Sequence, residues 1–494
     1  MALPAIISEQ RSGLAIATTR LHLLILSAAF VITLPLINPL VHGDGVGYYA
    51  YLRAPIIQHD LRFEEDWRHA NLGFVELRLS PDNQPRPDQY TGTGHIGNLF
   101  TIGPAILWTP FFLLAHAAVL VADRLGAQIP ADGFSLPYRL LVAFGTAFYG
   151  FCGLLLSYLL ARKYLDSSYA LLATLGIWAG SSLPVYMYFN PFWSHAHSAF
   201  VAALFLWYWD RTRPNRTIGQ WFLLGLISGL LVDVYFVNGV LLLIPFVESI
   251  VDYVKKIRSR NGAAALHQFG LNVLYLAAFA IVILPTLITR QIIYGGMLRF
   301  GAYTLLPWNW HAPFWRSVLF SSDHGMLSWT PLLGFALLGL FLPLPGGNRI
   351  RAYISLAAVT FFYVISSYPY WDGLASYGNR FFISLTPVFV FGLAILLEWV
   401  GGLFRSFRAT YAAQGCVIGL FALWNLAFLF QWGTHMIPAR GRISWGAMVH
   451  NQFAEVPRQM TQGLESYFLH RSEMMQNIEQ EDIEQQKLAR TPGK

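Results

Sequence analysis

The chain has 494 residues, of which 55% are hydrophobic, 16% aromatic and only 12% charged, with a formal net charge of +7 and a mean hydropathy of +0.46. Charged residues are about half as frequent as in a soluble protein, too few to coat a water-facing surface. This excludes an ordinary soluble enzyme, a disordered chain and a disulfide-rich scaffold. The two cysteines, Cys152 and Cys416, lie inside apolar runs and predict no disulfide. What remains is an all-α polytopic membrane protein.

A helix needs about 20 mostly apolar residues to cross the hydrocarbon core. Eleven segments qualify: 22–41, 138–161, 170–189, 193–209, 218–236, 239–254, 269–289, 326–344, 352–369, 382–400 and 412–431. The first follows Arg11 and Arg20 without a small-residue cleavage site before Asp44, so it reads as an anchor. A twelfth run, 100–122, is long enough to cross but carries Gly103, Pro104, Pro110 and His116. Loop charges arbitrate. If 100–122 does not cross and the N-terminus is cytoplasmic, fifteen Lys and Arg fall inside. Only Arg290, Arg299, Arg316 and Arg380 then fall in short outside loops. The expected layout is a membrane module over 1–431 with a long first outer loop, 42–137, in which 100–122 is interfacial or re-entrant. A polar outer tail, 432–494, follows.

The two sides differ in chemistry. Inside loops carry little besides Lys and Arg, whereas the outer helix ends hold His42, Asp44, Asn190, His195, His197, Asp233, Asp323, His324, Asp372 and Arg380. Ionisable residues in or near a bilayer are functional candidates. No P-loop, GxGxxG after a strand, HExxH, GxSxG or CxxC pattern is present. Asp44 sits in the run His42-Gly43-Asp44-Gly45-Val46-Gly47-Tyr48-Tyr49. Glycines there permit close approach of a ligand, and the carboxylate suits a general base; the plainer reading is a solvated residue at a helix end. Pro191 breaks the chain before His195 and His197, whose spacing puts them on different helix faces and argues against a paired metal site. Either histidine can meet a ligand phosphate or simply pack. Asp323 can cap the helix that follows it. Arg380 stands at the N-terminal end of the tenth span, where the helix dipole disfavours a cation unless an anion is bound. A guanidinium suits bidentate phosphate binding, with snorkelling to lipid headgroups as the alternative.

Taken in order, GDGVGYYAYLRAP, IGPAILWTPFFLLAH, YRLLVAFGTAFYG, YFNPFWSHAHSAFVAALFL, LFSSDHGMLSWTPLLGFALLGL and SYGNRFFISLTPVF resemble the bacterial branch of the GT-C glycosyltransferases. That branch is related to the protein O-mannosyltransferases and the lipid A aminoarabinose transferase. The resemblance covers most of 22–431, and its juxtamembrane helices match the run 100–122. It implies Asp44 as catalytic base and Arg380, with His195, at the donor phosphate; Tyr48, Tyr49, Asn190 and Asp372 are expected to line the substrate. Two positions depart from the pattern: Asn190 stands where relatives often carry a second acidic residue, and Asn98-Leu99 where some carry a lysine.

The implied reaction moves a sugar, with inversion, from a polyprenyl-phosphate donor to a hydroxyl of a glycan, lipid or protein. It would occur at the outer face of the cytoplasmic (inner) membrane, with membrane lipids as further partners and no nucleic acid. No cofactor is assigned and no metal ligand is expected. A transporter or lipid flippase is the rival reading. It calls for broken helices, midplane charge pairs and inverted repeats, and neither repeats nor clear charge pairs are legible.

Overall fold

The structure is a computed structural model. It describes residues 3–299, 306–438 and 441–490, with side chains over 18–299, 306–438, 441–481 and 483–484. It is helical, and the β pairing among the described residues is limited to two isolated bridges, Leu79 with Pro85 and Tyr90 with Ile96. The principal helices are α1 (Leu3–Thr33), α2 (Asp44–Arg53), α3 (Gly103–Arg124), α4 (Leu136–Ala161), α5 (Ser167–Ala179), α6 (His195–Thr212) and α7 (Ile218–Val234). They continue with α8 (Leu243–Arg258), α9 (Gly262–Tyr294), α10 (Asn348–Ser367), α11 (Thr386–Gly401), α12 (Phe407–Gly433), α13 (Val456–Leu469) and α14 (Arg471–Arg490).

Among the described residues, 8 helices are long and apolar enough to cross a membrane. Seven coincide with expected spans and the eighth is α3, a continuous 22-residue helix through Pro110. Two expected spans are interrupted. The run 170–189 stops as α5 at Ala179, passes Gly180-Ser181-Ser182 and resumes as a π-turn, Val185–Phe189, after Pro184. The run 326–344 is split into Met326–Trp329 and Leu332–Gly339, because Pro331 has no N–H to continue the ladder. Sequence windows register average apolarity, and such breaks cost too little of it to be seen.

Helices approach closely where side chains are small, the usual device in an apolar solvent that provides no hydrophobic drive between helices. On α7, a Cβ at Gly229 would lie 2.7 Å from the Phe279 carbonyl of α9, and Gly225 abuts the same helix one turn earlier. The segment 42–137 packs against this bundle. Arg53, at the end of α2, is buried and forms a bidentate pair with Asp66 at 2.8 and 3.0 Å. It also donates to the Asp132 carbonyl at 3.1 Å and stacks over Phe134 at 4.1 Å. Arg290 of α9 donates to the carbonyls of Asn98 and Leu99, both at 2.6 Å. These two arginines satisfy irregular backbone that would otherwise be costly to bury, and so fix α2 and the approach to α3.

The tail folds back onto the bundle. Tyr467 donates to the Leu36 carbonyl at 2.7 Å, and Arg471 donates to the Ile37 carbonyl at 2.6 Å. The Glu479 carboxylate accepts the Leu72 N–H at 3.2 Å. The polar tail is therefore part of the folded unit, joined to the turn after α1 and to the segment 42–137 at Leu72.

Candidate functional site

Asp44 is the first residue of α2, a favourable place for a carboxylate at the helix dipole. Gly43 precedes it at φ +56, and a Cβ there would stand 3.1 Å from the Trp193 ring, so both backbone and space call for glycine. The Gly43 N–H donates to Asn71 Oδ1 at 3.2 Å. Trp193 Nε1 donates to the His42 carbonyl at 3.1 Å. His42 Nε2 meets Asn190 Oδ1 at 2.9 Å. Burial holds the His42 imidazole below its ordinary pKa, with Asn190 acting in the opposite direction. The neutral ring then donates through Nε2 to the amide oxygen.

Arg380 comes from a point 336 positions further along the chain, just before α11. Its Nη1 lies 3.2 Å from Asp44 Oδ2, and its guanidinium lies over Trp193 at 4.4 Å from the ring centroid. The stacked ring fixes the plane of the guanidinium, and the carboxylate occupies one edge of it. The Asp44 side chain remains 37% exposed and that of Arg380 12%.

Both line a cavity of about 1160 Å³. Its polar part also includes His42, Asn71, Arg78 and Asn190. Its apolar part is walled by the C-terminal half of α12 and by the tail. Arg78 lies over the Phe74 ring at 4.0 Å; burial lowers its pKa, and Asp44 raises it. Two guanidiniums thus share one carboxylate-bearing cavity that opens onto an apolar surface. Such a place suits an amphiphile with an anionic head.

The expected site residues separate into two groups. Asp44, Arg380 and Asn190 meet at this cavity. His195 does not line it; its ring is buried among Tyr186, Trp193 and Tyr235. Tyr48 accepts a hydrogen bond from Ser194 at 3.0 Å and packs on Phe100. Tyr49 donates to the Gly133 carbonyl and abuts Phe192. The two tyrosines therefore anchor α2 and do not face the cavity. Asp372 offers its carbonyl to His324 Nδ1 at 3.0 Å, while the next residues, Gly373 to Ala375, reach the cavity.

Of the remaining polar residues, His197 is fully buried against Trp108. Asp233 accepts from Thr286 beside α3. The Asp323 carboxyl is raised in pKa by burial and by Asp372. Among the described residues no group of three His, Cys, Asp or Glu side chains is placed to hold a metal ion. The sequence reading missed Arg78, Asn71 and Trp193. An aromatic–arginine pair four apart, Phe74 and Arg78, was the available signal for the first.

No protein-family model matches the chain, and no curated protein matches it in sequence. Among solved structures it is similar to the archaeal oligosaccharyltransferase AglB from Archaeoglobus fulgidus in complex with an inhibitory peptide and a dolichol-phosphate. The identity is 13% and the TM-score 0.49, over 85% of this chain and 58% of that one. It is also similar to ArnT from Cupriavidus metallidurans in the apo state, at 12% identity and a TM-score of 0.48, over 85% of this chain and 70% of that one. The apo form of the Archaeoglobus oligosaccharyltransferase gives 14% identity and a TM-score of 0.49, over 84% and 58%.

Proposed function

We propose that the protein is a GT-C-type membrane glycosyltransferase that takes a sugar from a polyprenyl-phosphate donor and passes it to an acceptor hydroxyl. The observation that carries this reading is the Asp44–Arg380 pair at the polar end of an amphiphilic cavity. The order of sequence motifs from 22 to 431 supports it. Phosphate is already a good leaving group, so one base suffices, in contrast to a glycosidase, which needs a carboxylate pair.

The two charged side chains divide the work. An incoming phosphate offers Arg380 a bidentate partner in place of the Asp44 carboxylate at 3.2 Å. As the guanidinium turns to phosphate, the Asp44 carboxylate is released towards the acceptor. Asp44 then takes the hydroxyl proton while the acceptor oxygen attacks the anomeric carbon from the side opposite the phosphate. The bond from that carbon to the phosphate oxygen breaks, the configuration inverts, and the polyprenyl phosphate leaves with its charge held by Arg380 and Arg78. Asn190, through His42, keeps the loop before Asp44 in place. His195, behind Trp193, supports the ring on which Arg380 lies and does not touch phosphate itself.

The site is proposed to face out of the cytoplasmic membrane, with α3 interfacial or re-entrant, on the fifteen-to-four division of loop cations. Reporter fusions after Lys163 and after Lys494 test this: a cytoplasmic signal after Lys494 would sink the eleven-span arrangement. The activity itself is tested with purified protein and a labelled polyprenyl-phosphate sugar. Transfer to a hydroxyl acceptor is expected. Movement of the intact lipid between leaflets, without sugar transfer, would establish the flippase reading instead.

A further inference from the structure

One carboxylate on the cavity wall is supplied by the C-terminal tail. Glu479 of α14 lines the cavity among Met474, Met475 and Ile478 of the same helix. That stretch of α14 is fixed at both ends. Arg471 donates to the carbonyls of Pro35 and Ile37 at 3.2 and 2.6 Å. Ile483 is buried beside Gly73, where a Cβ would lie 3.8 Å from it. Between these anchors Glu479 Oε2 accepts the Leu72 N–H at 3.2 Å, the first N–H of the short helix Leu72–Arg78. Asn71 stands at the N-cap of that helix but its side chain does not cap it. Its Oδ1 accepts the Gly43 N–H at 3.2 Å instead and so holds the turn before Asp44. Asn71 also lines the cavity. Two polar atoms are thereby left for the cavity, the acceptor Glu479 Oε1 and the donor Asn71 Nδ2. Neither makes a hydrogen bond among the described residues. They belong to side chains anchored at consecutive positions, and Glu479 and Asp44 both act electrostatically on the His42 ring.

We propose that Glu479 and Asn71 hold hydroxyls of a sugar ring beside Asp44, so that the C-terminal tail supplies a specificity-determining residue of the transfer site. The proposal rests on the glycosyltransferase reading for the presence of a sugar. A hydroxyl both donates and accepts, and neighbouring hydroxyls on a ring present the two functions side by side. A fixed acceptor next to a fixed donor is their complement. An ionised phosphate presents acceptors and a negative charge, which Glu479 repels, and a plain alkyl chain offers neither partner. The ring belongs to the donor or to the acceptor, and its chemistry is the same in both.

The test measures binding of two ligand pairs to the full-length protein in nanodiscs, each pair differing in the sugar ring alone. Hexyl glucoside, galactoside and mannoside are compared with hexan-1-ol, and undecaprenyl-phosphate mannose with undecaprenyl phosphate. The wild type is expected to prefer the sugar-bearing member. Glu479→Gln keeps an oxygen for the Leu72 N–H and replaces the cavity acceptor by a donor. Asn71→Asp keeps an oxygen for the Gly43 N–H and replaces the cavity donor by an acceptor. Each is expected to reduce the preference by about 10-fold, an effect that a purely structural anchor would not produce. Loss in the first pair assigns the contacts to the acceptor's sugar, and loss in the second to the donor's. A preference that neither variant reduces, or none in the wild type in either pair, overturns the proposal. Sugar transfer by the wild type is measured separately. A reduced preference in a protein that transfers no sugar supports the sugar contacts and removes the transferase; an unmoved preference with transfer intact removes the contacts and spares the transferase.

Discussion

Two ionic clusters lie at opposite ends of α6, about 27 Å apart at 1.5 Å per residue, and they are built on opposite principles. At one end Asp210, with a side chain 1% exposed, accepts from Lys163 at 2.6 Å, Tyr164 at 2.7 Å and Arg213 at 3.0 Å. Beside it Glu248 accepts from Trp209 and from Arg216, both at 2.8 Å. At the other end Asp44 meets Arg380 at 3.2 Å, and both open on a cavity. The first cluster spends its acceptor capacity on the protein, and removing one partner there strands a buried charge. The second faces a cavity that a ligand can enter. Proximity of opposite charges does not by itself separate a site from a strut; saturation and access do.

The sharpest way to break the comparison is Asp44→Asn, which keeps size but cannot take a proton as a carboxylate does. Sugar transfer is expected to fall by about 10²–10⁴-fold, the usual worth of a general base. Stability should fall by no more than about 1 kcal/mol, the usual worth of a carboxylate at a helix N-terminus. Binding of the donor phosphate should be retained or tightened, since Arg380 no longer has to leave a carboxylate. Folded Asp44→Asn protein with near-normal turnover would refute the assignment and turn attention to Asp323 and Asp372.

The converse holds at the other end. Asp210→Ala is expected to cost about 1–3 kcal/mol of stability, because it removes the shared acceptor of Tyr164, Lys163 and Arg213. Thermal unfolding in detergent measures this. The fraction that folds should transfer sugar normally. A stable Asp210→Ala protein with impaired transfer would show that the saturated cluster is not merely a strut.

Arg380 supplies a smaller expected effect. Arg380→Ala should weaken lipid-phosphate binding by about 10–100-fold, and Arg380→Lys should recover only part of the loss. A compact ammonium has neither the planar fork for phosphate nor the flat face for Trp193. Unchanged affinity in both variants would leave Arg380 as a headgroup anchor.

Much of this contrast was legible in the sequence, and the reasons are specific. Asp44 and Arg380 stood out because charge is scarce and each sits at a helix end, where an ionisable group is costly without a purpose. Their partnership was not legible, since nothing local links positions 336 residues apart. Tyr48 and Tyr49 look like site residues by adjacency, yet α2 turns them away towards Ser194 and Gly133. The opposite cluster was misjudged for a related reason. Its loops read as plain Lys and Arg, while the balancing Asp210 and Glu248 lie inside helices. The tail gave composition only; its role as a wall depends on folding back, which no period in the sequence announces.

His324 offers the mildest test, because it lies between the two principles. It is fully buried in the turn before Met326, and Nδ1 donates to the Asp372 carbonyl at 3.0 Å. Burial pushes its pKa down from 6.5 to about 4, with the nearby Arg380 charge acting in the same direction and the Asp372 carbonyl opposing it. Asp323 lies 3.7 Å away but does not reverse the shift. The sign follows from proton counting. Between pH 6.5 and about 4 the unfolded chain binds a proton at this residue that the folded chain does not. Stability therefore falls as pH drops below 6.5 and levels off below about 4. The expected loss by about pH 5 is about 1–2 kcal/mol. His324→Asn removes the titrating group and suits the left-handed backbone there, φ +58. It should flatten the stability profile across that window while leaving transfer at neutral pH close to wild type. If the slope is unchanged in His324→Asn, another group carries it, and the raised carboxyl of Asp323 is the first to examine.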